Sequence, residues 1–125
     1  MQKKYWAFVK LIKASNLHST AIHEHESTGA VVSPLLGASH QVSVVRIELK
    51  PHGLLGRHQA AEDQVFIIVR GSGFVSGEDS ESSKVHEGDV VFWRSGESHE
   101  TRAGPDGLNA IVVEGKSLGK ALQAG

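Results

Sequence analysis

Two histidines sit in the stretches of this chain that carry the most chemistry. His58 lies in GRHQAAEDQVFIIVRG (56–71), where Arg57, Glu62, Asp63 and Gln64 crowd in front of an apolar run, and His99 lies in SHETRAG (98–104) beside Glu100. A neutral imidazole either ligates a divalent transition metal or takes a proton as a general base, and a neighbouring carboxylate or amide oxygen completes either arrangement. Gln64 offers an amide oxygen; Glu62, four residues after His58, offers a carboxylate. The chain has no cysteine, so thiolate metal ligation, a cysteine nucleophile and a disulfide framework are all excluded within its 125 residues.

The remaining polar candidates are weaker. His-Glu-His at 23–25 puts His23 and His25 on one face of an extended segment, but its polar surroundings predict a loop. His18, His40 and His86 have no partner at ligand spacing. His52 precedes the His58 stretch and is a candidate for the rim of a pocket, as is Arg94, whose alternatives are an anionic ligand and a surface carboxylate. Arg57 alternates with His58, and Glu100 with His99, so both are predicted to face away from the histidines.

Positioning these side chains falls to short strands. Fourteen glycines punctuate β-branched runs, and there is no internal repeat or low-complexity tract. YWAFVKLI (5–12) reads as a strand or short helix, SNLHSTAIHEHESTG as polar chain, and AVVSPLLG (30–37) as an edge strand or loop because of Pro34. QVSVVRIEL (41–49) alternates, with Ser43, Val45, Ile47 and Leu49 on one face, and Lys-Pro-His-Gly closes it as a turn. DQVFIIVRG (63–71) follows. GFVSG with SSKVHEG is a predicted hairpin, DVVFWRSG (89–96) a strand, and SHETRAG and LNAIVVEG two strands around a Gly-Pro-Asp-Gly turn. KSLGKALQ (116–123) alone looks helical. Many short strands with regular turn signals predict an all-β sandwich or barrel.

The stretch 53–103 resembles the cupin superfamily, which has the form G-x5-H-x-H-x3 or 4-E-x6-G followed by G-x5-P-x-G-x2-H-x3-N. The first motif is met by His58, Gln59, Ala60, three residues, Gln64, six residues and Gly71; the second histidine has become Ala60 and the glutamate Gln64. The second motif is met by Gly88, Gly96 and His99 in register, with Arg94 and Ala103 in place of its proline and asparagine. The resemblance implies an all-β jelly-roll barrel, or double-stranded β-helix. It would be a single domain over 1–125, with 1–40 as N-terminal strands or arm and 41–115 as the barrel core.

In that family the motif histidines and glutamate hold a divalent metal, often iron, manganese, nickel or zinc. Here two of four ligand positions keep their chemistry, and the charged one is lost. Two readings stay open: a metal site made by His58, Gln64 and His99, with Glu62 able to restore a carboxylate, and a metal-free polar patch in a ligand pocket. Parity from Gln64 adds Phe66 and Ile68 to the inward wall, with Arg70 next in line. The expected function is binding of a small organic ligand inside the barrel, at a His58, Gln64, His99 polar end lined by Phe66 and Ile68. The alternative is a metal-dependent dioxygenase or isomerase using His58 and His99. A third reading makes one of these histidines a general base on a sugar-like or keto substrate, although no His-Asp pairing in the sequence would orient it.

The net charge of −1, with basic residues scattered among acids, argues against a nucleic-acid partner, and the Lys3, Lys4, Lys10, Lys13 cluster reads as a solvated flank. Glycine-rich phosphate loops are absent. No segment reaches the length of a membrane helix or a secretory core, so no membrane partner and a cytoplasmic location are expected. Because Val65, Ile67 and Val69 also want burial, the outer wall is expected to be covered by the N-terminal segment or by a second subunit, giving a homodimer packed sheet against sheet.

Overall fold

A computed structural model describes residues 11–39 and 41–122. Among the described residues seven strands run in the order β1 (Thr20–Ile22), β2 (Thr28–Ser39), β3 (Val42–Gln59), β4 (Asp63–Ser76), β5 (Ser83–His86), β6 (Val90–Trp93) and β7 (Ser98–Gly115), followed by a one-turn helix α1 (Leu118–Ala121). All pairings are antiparallel, with lateral order β1-β2-β3-β7-β4-β5 and β6 added to β4.

The three long strands each serve twice. Their first pairing block joins β3 (42–49), β7 (108–115) and β4 (63–68), extended by β2 and β1 on one side and β6 on the other. Their second block joins β3 (54–59), β7 (98–103) and β4 (73–76), with β5 alongside. Between the blocks the ladders slip: β3 between Leu49 and Leu54, β4 at Ile68–Arg70 and again at Gly71–Gly73. Bulges of this kind bend a strand so that it passes from one sheet into the facing one. The result is an all-β jelly-roll barrel.

These bends correct two expected turns. Lys-Pro-His-Gly does not end its strand; β3 continues through it, with His52 at φ +61°. Gly-Pro-Asp-Gly likewise lies inside β7, which does not reverse there. Gly71, at φ +83°, has no room for a Cβ, which would lie 2.1 Å from the Gly107 carbonyl oxygen. The turns expected at both places are bends within continuous strands.

The polar stretch 15–29 is also more ordered than expected. It carries β1, a short 3-10 turn at Glu24–Glu26 and the start of β2. Pro34 falls in β2 beyond the residues that β1 covers, where its missing N–H costs no ladder bond on that edge. Most of YWAFVKLI lies outside the described residues, as does His40; Leu11 and Ile12 are exposed without regular structure.

The core fills the space between the sheets with Ile47, Leu49, Phe66, Ile68, Trp93, Leu108, Ala110 and Val112. Parity therefore holds along β3 and for Phe66 and Ile68 on β4, but fails at Arg70, which the slip after Ile68 leaves exposed. On the outer wall, Val65 and Val113 share a crevice with Leu118, Ala121 and Leu122, so α1 covers part of a face expected to be closed by the N-terminal segment or a partner. Asp63 holds this arrangement: its carboxylate accepts from the Gly119 amide at 3.0 Å and the Ser95 amide at 2.9 Å. These backbone donors lower its pKa. Among the described residues no helix is long and apolar enough to cross a membrane.

Candidate functional site

His58 on β3 and His99 on β7 are directly opposite each other in the ladder, with ring centroids 4.4 Å apart. On the other sheet, Gln64 of β4 is directly opposite Glu114 of β7, and its side-chain amide donates to the Glu114 carboxylate at 3.1 Å. One cross-strand pair from each block thus lines a single cavity of about 360 Å³. Its walls are otherwise mostly apolar, from Ile22, Val45, Ile47, Leu55, Phe66 and Val112, with Ser43 alongside.

Backbone contacts fix both imidazoles. His58 Nδ1 is 2.7 Å from the Gly56 carbonyl oxygen and His99 Nδ1 is 3.1 Å from that of Glu97. A carbonyl only accepts, so Nδ1 carries the proton in each neutral ring and Nε2 is left as the acceptor. His99 is buried against the indole of Trp93, centroids 4.4 Å apart, and Trp93 packs edge-on against Phe66. Burial lowers the pKa of His99; Glu97 opposes this, and the proximity of His58 and of the Arg57 guanidinium adds to it.

The N-terminal segment closes one side. His25 stacks on His58 with centroids 4.6 Å apart and planes 16° from parallel, and Glu24 joins the lining. This turn is backed against Gly56, where a Cβ would lie 1.6 Å from the His25 carbonyl oxygen, and the Gly56 amide donates to Ser27 Oγ. His25 and Glu26 both take positive φ to make the approach.

Among the expected site residues, His58, Gln64, Phe66 and His99 meet at this cavity. Ile68 does not: it is buried in the core but is not part of the lining. Glu62 faces a separate surface pocket with Gln41, Lys116 and Ser117, so the hairpin shift that would carry its carboxylate into the mouth does not occur. His52 is exposed at the β3 bend. Arg94 is exposed beside Asp63. Arg57 and Glu100 face away from the histidines as expected; Arg57 donates to the Gly77 carbonyl and the Ser76 hydroxyl, and its Nε lies 3.8 Å from Glu100.

Sequence reasoning missed Glu114 and the part played by His25. For Glu114 a signal existed: Leu108, Ala110, Val112 and Glu114 form one alternating face, and a lone carboxylate on an otherwise apolar inward face is costly without a purpose. His25 arrives from a distant segment, and local spacing carries no information about that.

The family's metal set does not fit the residues present. Ala60 puts a buried methyl where the second motif histidine belongs. Among the described residues no three of His, Cys, Asp or Glu converge on a point that would hold an ion. The motif positions that remain, two imidazoles and a neutral amide, supply no charge to compensate a divalent cation, and the nearby Glu114 carboxylate accepts the Gln64 amide. What the arrangement does offer is an apolar wall with hydrogen-bonding groups at one end.

Comparison with solved structures finds the same architecture. The polyketide cyclase RemF from Streptomyces resistomycificus superposes with a TM-score of 0.75 at 18% identity, covering 86% of this chain and 80% of that one. An RmlC-like cupin from Shewanella frigidimarina gives 0.71 at 17% identity over 92% and 97%. Oxalate decarboxylase from Bacillus subtilis gives 0.70 at 22% identity over 82% of this chain but 28% of its own. No curated protein matches in sequence. A family model described as Cupin domain matches residues 45–115, a span that contains His58, Gln64, His99 and Glu114, and the chain therefore belongs to the cupin family.

Proposed function

We propose that this protein binds a small organic molecule in the barrel cavity, seated on the apolar wall with its polar groups against His58, Gln64 and His99. The observation that supports this reading is the convergence of two cross-strand pairs, His58 with His99 and Gln64 with Glu114, on one cavity of about 360 Å³. That volume is within the range of small-molecule pockets, as is the pattern of apolar walls with a few convergent polar groups. The structural relatives named for an activity, a polyketide cyclase and an oxalate decarboxylase, are named for small organic molecules, but at their identities they speak only for the fold.

The metal-dependent alternative draws no support from the donor set. The test pairs the two readings. Protein purified without chelator, then soaked with iron, manganese, nickel or zinc, is expected to retain no stoichiometric metal. A fragment panel scored by thermal shift is expected to yield ligands whose effect is lost in His58→Ala and His99→Ala. Stoichiometric metal that both variants lose would overturn the metal-free reading, and ligand shifts that survive both substitutions would place binding outside this cavity.

A further inference from the structure

Acceptors outnumber donors at the polar end, and its only ionised groups are carboxylates. His58 and His99 each commit Nδ1–H to a backbone carbonyl, so each presents an acceptor. Glu114 and Glu24 are carboxylates and accept only. Gln64 engages one N–H with Glu114 and keeps its carbonyl oxygen as a further acceptor; its second N–H, the Ser43 hydroxyl and the His25 ring are the donors in the same lining. Among the described residues no lysine or arginine lines the cavity. The nearest arginine on the histidine strands, Arg57, is turned outward onto Gly77, Ser76 and Glu100.

Resting on the binding function proposed above, we infer that the cavity selects a ligand whose polar groups donate hydrogen bonds, a hydroxyl carried on an apolar body, and rejects carboxylates and other anions. A hydroxyl donor answers an imidazole Nε2 directly. An anion would meet the Glu114 carboxylate against apolar walls, with the exposed Glu24 at the rim and no lysine or arginine to offset them. Burial of His99 acts in the same direction, since it disfavours the protonated ring that would attract a negative ligand. Methylating the hydroxyl removes the donor and leaves a buried acceptor unpaired, and binding sites built for a hydroxyl discriminate strongly against analogues that lack it. The selection differs from what a dianion such as the oxalate in one relative's name would need.

Isothermal titration calorimetry at about pH 8, above the ordinary imidazole range, tests this with three bicyclic probes of one shape: 2-naphthol, 2-methoxynaphthalene and 2-naphthoate. The expected result is saturable binding of 2-naphthol, lost in His99→Ala, with the ether weaker by about tenfold or more and the carboxylate not bound. Glu114→Gln, which keeps a partner for Gln64 but removes the charge, is expected to admit 2-naphthoate. If the ether or the carboxylate binds the native protein as tightly as 2-naphthol, donor selection is wrong while the binding function stands. If none of the three binds while the fragment panel still yields ligands lost in His99→Ala, the inferred ligand class is wrong and the binding function stands; if the panel also yields none, both are overturned.

Discussion

At the scale of single residues, His99 carries the clearest electrostatic consequence. Its ring is buried between His58 and Trp93, and desolvation pulls its pKa below the ordinary imidazole value of about 6.5. In the unfolded chain the same imidazole titrates normally, so between the two pKa values the unfolded state binds more protons and stability rises with pH. The contribution of neutral His99 is therefore full above about pH 6.5 and is lost as pH falls toward the folded-state value. Urea midpoints measured at about pH 7.5 and about pH 5.5 should show a drop for the native protein that is smaller in His99→Gln. Equal drops in the two proteins would remove His99 as the cause. Glu114 shows the limit of what single residues disclose: its own alternating face announced it, but its partner Gln64 lies fifty positions away and only the β4–β7 register brings them together.

At the scale of elements, the alternation along β3 is legible because one face is buried and a period of two is hard to mistake, whereas β4 is apolar on both faces and takes its inward parity from the motif position of Gln64. The hairpin joining 73–76 to 83–86 was legible for the same reason, with polar turn residues between two short strands. Strand ends were not. Glycine and proline signal departure from the ladder, and in a barrel with corners the departure at Lys50–Gly53 and Gly104–Gly107 is a bend inside a long strand. The pairing of β1 and β2 was obscured by their serines, threonines and Pro34, which read as loop until β3 supplies partners. The corner itself can be tested at Gly71, where positive φ and the Gly107 carbonyl both oppose a side chain, whereas Gly88 at φ +95° has open space around it. Gly88→Ala should cost about 1 kcal/mol from backbone strain alone. Gly71→Ala should cost about 2–4 kcal/mol because a steric clash is added. Equal denaturation midpoints for the two variants would mean that the close approach of β4 and β7 does not hold the bend.

At the scale of the whole molecule, the outer wall of the first sheet block decides how the chain exists in solution. Cross-strand register puts Ile67, Val90 and Ile111 side by side on that wall, continued by Val69. The C-terminal helix turn reaches Val65 and Val113 at one end, and leaves Val69 46% and Val90 52% exposed at the other. Branched apolar residues grouped on a flat strand surface are an unfavourable face for a lone molecule in water. A net charge of −1 gives two copies little reason to repel each other. We propose that a second copy of this chain covers the patch, sheet against sheet. Light scattering should then report a dimer for the native protein, and Val90→Lys, which plants a charge at the centre of the contact, should shift it to monomer without lowering the thermal stability of the barrel. A native monomer at tens of micromolar concentration would show that the patch is simply exposed. Because the wall lies on the far side of β4 from the cavity, dimer formation and ligand binding should be separable, with Val90→Lys retaining the ligand response that His99→Ala loses.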